Sequence, residues 1–374
     1  MTGRIILVGA GEMLAAMSGQ HRQALARLQG PPRPVFLDTT AGYETNVDSI
    51  SAKAVEYYQH HLQTKLEVAH FRHSERESPS EVAASIEKIR RANLIFAGPG
   101  SPTFAIKHWR GSPIWEAVCA QFEAGADLFF ASAASITMGR YALPVYEIYK
   151  AGEDPHWKDG LDMLGRFGVN VAVVPHYNDN SGGDNYDTRF CYMGASRFDR
   201  LQALLPADTA ILGLDAYTAL CFDPATGLAT VSGQGGITLI GDGAQRRFES
   251  GDALPFDAFH STSRAVVQTY SPETAISGYE GGDNEESAAD FVEGLSSISR
   301  EDKIELLGRI KRLADMKSDD DGADSGPIVD LVLELREALR QAKRYDLADK
   351  ARNVLSEQGY EIADSPQGST WSRP

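Results

Sequence analysis

The stretch LIFAGPGSPTF, residues 94–104, does most to decide the fold class of this 374-residue chain. Its first four residues are apolar and predict a buried strand, Leu94–Ala97. The residues after the strand form a glycine-rich loop that opens a helix, and such a loop can aim backbone N–H groups at a developing negative charge. The stretch therefore predicts a strand, a tight loop and a helix, with Gly98 and Gly100 as candidate oxyanion donors.

On both sides of this stretch, from residue 4 to about residue 270, short apolar runs alternate with stretches of helical spacing such as Ser80–Arg91 and Ile114–Glu123. A late pair of runs, Ala229–Val231 and Gly236–Ile240, predicts an antiparallel hairpin. The alternation predicts an α/β domain with a mainly parallel sheet and functional sites at the carboxyl ends of its strands. The predicted strands are Arg4–Val8, Pro34–Leu37, Leu66–His70, Leu94–Ala97, Leu128–Ala131, Val169–Val174 and Ala210–Leu214.

A run of small residues follows the fifth predicted strand. Phe129–Ser135 reads FFASAAS, and small residues are needed where a strand turns sharply into a helix and exposes a nucleophile. Ser132 is the first candidate nucleophile in this run and Ser135 is a weaker one. The run therefore predicts a nucleophile elbow, in which a hydroxyl is available to attack a carbonyl carbon.

These features occur in an order and spacing that resemble a known family. Residues 4 to about 242 resemble the serine peptidase family of dipeptidase E and cyanophycinase. The resemblance implies a class I glutamine amidotransferase-like fold, which is a flavodoxin-like, doubly wound, mainly parallel sheet. The motifs that carry the resemblance are the loop Phe96–Phe104, the run Phe129–Ser135, Pro175–Asn178, Gly213–Asp215 with Thr218 and Ala219, and Gly233–Thr238.

The family's chemistry uses a serine nucleophile, a histidine base and a carboxylate that orients the base. The resemblance assigns these roles to Ser132, His176 and Glu147, with no metal and no cofactor. For Arg189 two interpretations remain open, a bidentate pair with a substrate carboxylate or an internal salt bridge to Asp187. The implied oxyanion and substrate-binding residues are Gly98, Gly100, Ala133, Asn178, Asp187 and Arg189.

The elbow departs from the family pattern, which reads G-x-S-A-G. One register places Ala133 at the nucleophile position, and alanine has no nucleophilic group. The register shifted by one residue places Ser132 there, but it puts Phe130 where the family has glycine. Ala216 also replaces a glutamate that many relatives carry after the aspartate of the Gly213–Asp215 turn. Two interpretations therefore remain open: a hydrolase that uses Ser132, and a degenerate site without a nucleophile.

Three other kinds of site are disfavoured. A dinucleotide-binding loop at Gly9–Glu12 lacks its third glycine, because Leu14 takes that position. A glutaminase needs a cysteine at the elbow, and Cys191 is better explained as a buried structural thiol. The acidic and histidine residues around His176 lack the short spacing that is typical of metal ligands.

Composition restricts the classes of partner. The net charge of −16 argues against non-specific binding to a polyanion, because that binding depends on basic patches. The cysteines Cys119, Cys191 and Cys221 are far apart and odd in number, which fits a reducing cytosol. The N-terminal run lacks a signal-peptide pattern, and no apolar run is long enough to span a bilayer. We therefore expect a cytoplasmic protein with no membrane partner.

The last stretch of the chain predicts a helical hairpin. Apolar residues recur at helical spacing from residue 328 onward, Gly359 is placed to stop the second helix, and Pro366 ends regular structure beyond it. The order of residues in 328–371, with its ending GYEIADSPQGSTW, resembles the C-terminal subdomain of cysteinyl-tRNA synthetases, which lies beside the anticodon. The resemblance implies tRNA as a partner, and a hairpin for docking or homodimerisation is the alternative. The candidate tRNA-binding residues are Arg336, Arg340, Lys343, Arg344, Arg352 and Trp371.

Two acidic stretches, Glu280–Glu293 and Ser318–Asp324, divide the chain into three parts. We predict a peptidase-like α/β domain at 1–270, an acidic linker at 271–325 that contains a helix at 299–317, and a small C-terminal helical domain at 326–374. These parts predict a hydrolase or acyl-transfer enzyme that acts on a small peptide, an aminoacyl amide or an aminoacyl-tRNA. The alternative is a catalytically inactive protein that binds tRNA or another partner through the tail.

Overall fold

The chain divides into two units, Met1–Ala275 and Ile276–Pro374. The computed structural model describes residues 2–182, 186–241, 243–260, 268–269, 361–365 and 368–372. Within these ranges, no helix is both long enough and apolar enough to cross a membrane.

Strands and α-helices alternate through most of the first unit. The strands of this unit are β1 (Ile5–Val8), β2 (Pro34–Leu37), β3 (Glu67–Ala69), β4 (Leu94–Ala97), β5 (Asp127–Ala131), β6 (Tyr141–Ala142), β7 (Lys158–Asp159), β8 (Val171–Val174), β9 (Ala210–Leu214), β10 (Thr218–Asp223), β11 (Leu228–Gly233), β12 (Ile237–Gly241), β13 (Ala244–Phe248), β14 (Asp252–Pro255) and β15 (Gln268–Thr269). The α-helices are α1 (Ser18–Ala26), α2 (Val47–Leu62), α3 (Pro79–Arg91), α4 (Pro102–Trp109), α5 (Pro113–Glu123), α6 (Ala133–Thr137), α7 (Val145–Tyr149) and α8 (Gly194–Ala203). Short 3-10 helices lie at Ala15–Met17, Asp38–Ala41, Leu164–Phe167 and Phe256–Phe259.

The larger sheet has nine strands in the order β15-β14-β11-β10-β1-β5-β4-β2-β3. The five strands from β1 to β3 pair in parallel, and β10, β11, β14 and β15 extend the sheet with antiparallel pairs. The strands β1, β2, β4 and β5 are buried along their whole length. Burial on both faces explains why their sequences are continuous apolar runs. The predicted α/β class with a mainly parallel sheet is confirmed.

Three helices that cover this sheet begin with a serine followed by proline. The hydroxyls of Ser78, Ser101 and Ser112 accept hydrogen bonds from the backbone N–H three residues later, at 3.3, 3.2 and 3.2 Å. Such a cap stabilises a helix by about 1 kcal/mol, because it satisfies a donor that the helix leaves unpaired. Since Ser101 caps α4, the glycine-rich loop before it is held at the carboxyl end of β4.

The second sheet has six strands in the order β13-β12-β9-β8-β6-β7. Its centre is parallel, because β8 pairs in parallel with both β6 and β9. The residues after β8 reach the first sheet, where the N–H of His176 donates to the carbonyl oxygen of Gly9 at 3.4 Å. The carboxyl ends of β1, β5 and β8 therefore meet in one region.

The predicted hairpin of Ala229–Val231 with Gly236–Ile240 is wrong. The first run lies in β11, which pairs with β10 and β14 in the larger sheet. The second run lies in β12, which pairs with β9 and β13 in the smaller sheet. Gly233, with a φ of 118°, lies where the chain leaves one sheet for the other, and a Cβ there would lie 2.2 Å from the carbonyl oxygen of Tyr217. A glycine run here changes sheets and does not close a two-residue turn.

In the second unit, β16 (Glu361–Ser365) and β17 (Gly368–Ser372) form an antiparallel pair in which Ile362 is the partner of Trp371. These strands were not predicted, since Pro366 was expected to end regular structure. The predicted helices between residues 328 and 359, the helix at 299–317 and the five basic candidates for tRNA binding lie outside the described residues.

Candidate active site

Ser132 lies at a sharp turn between β5 and α6. Its backbone has φ 51° and ψ −118°, a conformation that non-glycine residues seldom adopt. The N–H of Ser132 donates to the carbonyl oxygen of Val8 at 2.9 Å, which ties the turn to β1. Ala131 and Ala134 are fully buried beside it, so larger side chains would not fit. A backbone strained at one serine and held by its surroundings is the geometry of a nucleophile elbow.

His176 follows β8 and also has a left-handed backbone, with φ 49°. Its Nε2 lies 2.8 Å from Oγ of Ser132, within hydrogen-bond distance. The carbonyl oxygen of His176 accepts hydrogen bonds from the N–H groups of Asp179 and Cys191, and the ring of Tyr192 lies 5.9 Å from the imidazole. The loop around His176 therefore holds the imidazole against the serine hydroxyl.

The charge state of His176 suits a general base. Burial lowers the pKa of His176 below its ordinary value of 6.5, and the negative charge of Asp179 raises it in part. The imidazole is therefore neutral at pH 7 and has a lone pair that can accept the serine proton. Asp179 is itself held in place, because its carboxylate accepts hydrogen bonds from the N–H and the hydroxyl of Ser181 at 3.1 and 3.0 Å.

The elbow geometry distinguishes the registers that the sequence left open. Ser132 takes the strained position, and Ala133 is the first residue of α6. The hydroxyl of Ser135 donates to the carbonyl oxygens of Val8 and Phe130, and Ser135 is fully buried, so its role is structural. Phe130 is also fully buried and its ring packs 5.8 Å from that of Trp109, on the core side of β5. The steric objection to Phe130 therefore does not apply.

The expected pairing of Glu147 with His176 is not found. Oε1 of Glu147 accepts a hydrogen bond from the hydroxyl of Thr103 at 2.6 Å instead. In the described part of the chain, no carboxylate oxygen lies within 4.0 Å of a nitrogen of His176. The structure therefore brings together a serine and a histidine, with Asp179 as the carboxylate whose charge reaches the imidazole.

The loop after β4 lies beside the elbow. The carbonyl oxygen of Gly98 accepts from the N–H of Ala134 at 3.4 Å. Gly100 has φ 138°, and a Cβ on it would lie 2.0 Å from the carbonyl oxygen of Thr40, so only glycine fits. Among the described residues, the N–H groups of Gly98 and Gly100 have no backbone partner. They are therefore available as hydrogen-bond donors next to the start of α6.

The predicted substrate-binding side chains have partners within the protein. Arg189 forms a bidentate salt bridge with Asp187, with both N···O distances at 2.8 Å. Asp187 also accepts from the N–H of Ala195 near the start of α8, and the Arg189 guanidinium holds the pKa of the Asp187 carboxyl well below its usual range. Oδ1 of Asn178 accepts from the N–H of Ala216 at 2.9 Å. The internal salt bridge, and not a free Arg189, is what the structure contains.

Two residues near the site were missed in the sequence. Asp179 follows His176 by three residues and was not among the predicted site residues. Glu12 follows the glycine turn after β1, is 5% exposed, and has Oε1 3.5 Å from the position that a Cβ on Gly98 would take. Burial raises the pKa of the Glu12 carboxyl. Neither the electrostatic effect of Asp179 nor the burial of Glu12 has a signal in the local sequence.

In the described part of the chain, neither Cys191 nor a cluster of metal ligands offers an alternative to this arrangement. Cys191 is buried, and burial raises the pKa of its thiol well above the usual value, so the reactive thiolate is disfavoured. Within the described ranges, no group of three or more histidine, cysteine, aspartate or glutamate residues is placed to hold a metal ion.

Comparison with solved structures identifies the fold class. A peptidase from an acI-B1 Actinobacterium superposes with a TM-score of 0.56 and 19% sequence identity, over 68% of this chain and 97% of that chain. A putative peptidase E protein from Listeria monocytogenes EGD-e gives a TM-score of 0.40 and 13% identity, over 67% of this chain and 99% of its own. The first of these structures shows that most of this chain shares its fold with a solved peptidase structure, which confirms the fold predicted from the motifs in residues 4–242.

Comparison with curated sequences finds a different relative. The cysteine–tRNA ligase of Metallosphaera sedula is 48% identical over 44 residues, which is 12% of this chain and 10% of the ligase. That of Carboxydothermus hydrogenoformans is 44% identical over 83 residues, 22% of this chain and 16% of the ligase. The chain thus spans a small part of the length of these relatives. The identity within the matched residues supports the resemblance of the tail to a synthetase subdomain. No family model matches the chain.

Proposed function

We propose that the first unit is a serine hydrolase that cleaves an amide or ester of a small peptide or aminoacyl compound. The observation that carries the proposal is the contact of 2.8 Å between Ser132 Oγ and His176 Nε2 at a serine whose φ is 51°. A strained serine whose hydroxyl faces a neutral imidazole is the arrangement that nucleophilic catalysis needs. The peptidase E-type fold is consistent with this chemistry but does not establish it.

The reaction follows from these atoms. His176 Nε2 takes the proton of the Ser132 hydroxyl while Oγ forms a bond to the carbonyl carbon, and the carbonyl oxygen becomes an oxyanion. The N–H groups of Gly98, Gly100 and Ala133 are the donors that we assign to this oxyanion. The imidazolium then gives its proton to the leaving amine or alcohol as the bond to it breaks. Water repeats the sequence on the acyl-enzyme and releases the acid.

In this proposal the catalytic unit is a dyad assisted at a distance. A carboxylate bound to the second ring nitrogen would fix the tautomer and stabilise the imidazolium, and Glu147 does not take that position. Asp179 supplies negative charge to the imidazolium without a direct hydrogen bond. We therefore assign Asp179, and not Glu147, as the carboxylate whose charge favours the imidazolium.

An active-site-directed probe tests the proposal. The full chain is incubated with an uncharged fluorophosphonate, whose phosphorus forms a bond to a nucleophilic serine while fluoride leaves, and the adduct is located by peptide mass mapping. We expect the adduct on Ser132, and we expect Ser132→Ala to abolish it. Ser74→Ala is the matched control, since Ser74 also contacts a histidine. An adduct on another residue, or no adduct together with no hydrolysis of aminoacyl esters, would overturn the proposal.

A second function is favoured by the curated matches. Because the relatives are cysteine–tRNA ligases, we propose that the tail binds tRNA, through Arg336, Arg340, Lys343, Arg344, Arg352 and Trp371. An enzyme that also binds tRNA would then take an aminoacyl-tRNA ester as substrate or acyl donor, with an amine in place of water in the second step. Homodimerisation through the tail is the competing proposal.

Binding of unfractionated tRNA to the full chain, measured by fluorescence anisotropy at low and moderate salt, tests the tail. We expect binding that weakens steeply with salt, because phosphate contacts release counterions. Replacing Arg340, Lys343 and Arg344 with glutamine together should weaken binding about a hundredfold and flatten the salt dependence. Unchanged binding in the triple variant rules out the assigned residues, and no binding at low salt rules out the function.

A further inference from the structure

A cavity of about 660 Å³ lies at the start of α4, the helix that follows the loop of Gly98 and Gly100. Its wall includes Ser101, Thr103 and Phe104, which belong to the same loop and helix start as Gly98 and Gly100. The helix α4 that follows packs on α6, the helix that Ser132 begins. The cavity is therefore lined by residues that directly follow the proposed oxyanion donors in the chain, and its volume is that of a pocket for a small molecule.

One charged atom in the wall has no partner. Oε1 of Glu147 accepts from Thr103 at 2.6 Å, and Thr103 in turn contacts the hydroxyl of Ser101 at 3.0 Å. Oε2 of Glu147 is buried without a hydrogen-bond partner. A buried carboxylate oxygen without a partner is costly, unless a ligand supplies a donor. The hydrogen bonds of Thr103 and Ser101 hold the carboxylate in place for that donor.

Aromatic side chains line the same cavity as this carboxylate. Tyr43, Phe104 and Tyr146 all line the cavity. The ring of Tyr43 lies 5.3 Å from that of Phe104 and 6.3 Å from that of Tyr146. Tyr43 and Tyr146 are 41% and 38% exposed, which is unusual for large aromatic side chains. Faces of aromatic rings attract cations, and a carboxylate among them adds an ion pair.

Basic side chains also line the cavity. Lys107 and Lys158 line it, and neither forms an ion pair among the described residues. Arg110 also lines the cavity and donates to the carbonyl oxygens of Asp159 and Gly160 at 2.9 and 2.6 Å. A ligand whose cation lies at Glu147 can therefore carry negative charge at its other end, as a short peptide with a free carboxyl group does.

We propose that this cavity is a recognition site for a cationic group of the ligand, an ammonium or guanidinium held by Glu147 between the rings of Tyr43, Phe104 and Tyr146. The cation is either the free α-amino group of a peptide or the side chain of a lysine or arginine residue. Calling the ligand a substrate rests on the proposed function, whereas the binding itself does not. Glu147 is thus a specificity-determining residue rather than part of the catalytic unit.

Calorimetric titration of the full chain carrying Ser132→Ala tests this inference without any turnover. The probes are two matched pairs: alanyl-alanine against N-acetyl-alanyl-alanine, and N-acetyl-lysyl-alanine against N-acetyl-norleucyl-alanine. In at least one pair we expect the cationic probe to bind about tenfold tighter or more, because an ion pair with a buried carboxylate is lost in the neutral probe. The pair that shows the difference identifies the source of the cation.

Glu147→Gln, made in the same background, should abolish that preference, because glutamine keeps an oxygen for Thr103 and loses the charge. Glu153→Gln is the matched control, since the side chain of Glu153 is exposed and its carboxylate lies 3.7 Å from His156; it should retain the preference. Tyr146→Leu should reduce the preference, and equal melting temperatures check that the variants are folded. A preference in neither pair, or one that survives Glu147→Gln, overturns the inference. If Ser132 of the wild-type protein does not react with the fluorophosphonate while the preference for the cationic probe is present, the hydrolase proposal is refuted and the cation site is not.

Discussion

Among its described residues, the first unit contains two serine–histidine contacts of nearly equal length, and only one has the properties of a catalytic pair. Ser132 Oγ lies 2.8 Å from His176 Nε2, and Ser74 Oγ lies 2.9 Å from His108 Nδ1. At the second contact the N–H of Ser74 also donates to the same Nδ1, at 3.2 Å. The lone pair of His108 is therefore already used by the backbone, and Nε2, which must carry the proton, is buried without a partner.

The surroundings of the two imidazoles differ as much as their hydrogen bonds. His108 is 1% exposed and packs between the rings of His73 and Phe104, at 4.1 and 4.3 Å. His176 instead follows the carboxyl end of β8, beside a serine with a strained backbone. A short distance between oxygen and nitrogen is thus insufficient to define a base. A free lone pair and a strained, accessible hydroxyl make the difference.

Alanine at each histidine gives the largest predicted difference. His176→Ala should lower kcat/KM for an aminoacyl p-nitrophenyl ester by about a thousandfold or more, because no group is left to accept the serine proton. His108→Ala should change it by less than about tenfold, as expected for a packing residue. Steady-state kinetics of both variants and wild type measure this. Equal losses would mean that the two contacts are not functionally distinct.

Part of the fold that positions these contacts was predictable from the sequence. Pro34–Leu37, Leu94–Ala97 and Ala210–Leu214 are strands with the bounds that their apolar runs predict, because a strand buried on both faces needs apolar residues throughout. The placement of β11 and β12 in different sheets was not predictable, since it depends on long-range pairing with β10 and β9. Local turn composition does not contain that information.

The candidate site was likewise predictable only in part. Motif order led to Ser132 and His176, but the choice between Ser132 and Ala133 depends on a backbone angle that small residues alone do not specify. The partner of Glu147 is Thr103, 44 residues away, and only the packing of α7 near α4 brings them together. The influence of Asp179 on His176 likewise depends on the conformation of the loop after β8.

The segment Gly98–Phe104 touches the surroundings of both serine–histidine contacts, because Gly98 accepts from Ala134 and Phe104 packs on His108. A substitution at Gly100 tests whether this segment acts in catalysis. Gly100→Ala should lower kcat/KM about a hundredfold, because the new Cβ would push the loop from Thr40 and displace the oxyanion donors. Gly111→Ala is the control, since Gly111 also has a positive φ, 69°, but has open space around its Cβ position. Kinetics with melting temperatures of both variants are the measurement. Full activity of a folded Gly100→Ala would remove the loop from the mechanism.

Asp179→Asn tests whether charge near His176 distinguishes it from His108. The carboxylate stabilises the imidazolium, so its loss should lower the rate about tenfold, the equivalent of one pKa unit. The pKa of His176 is already lowered by burial and should fall further without Asp179. The acid limb of kcat/KM, which we expect below pH 6.5 in wild type, should therefore move to lower pH. A limb that stays in place or moves upward would show that Asp179 does not act on the imidazole.

His108 should have a smaller effect, on stability rather than rate. Burial, followed by the positive charges of His73 and Lys107, lowers the pKa of His108, while Glu75 and Glu77 oppose this. The unfolded chain therefore binds the proton more readily, so the contribution of His108 to stability is complete above pH 6.5 and is lost as the pH falls below that value. The loss is about 1.4 kcal/mol for each unit by which the pKa is lowered. His108→Phe should decrease the difference in the free energy of unfolding between pH 7.5 and pH 5, measured with urea, while kcat/KM keeps the pH dependence that His176 confers. If the variant instead changes the pH–rate profile and leaves the stability difference intact, His108 and not His176 would be the histidine that titrates in the reaction.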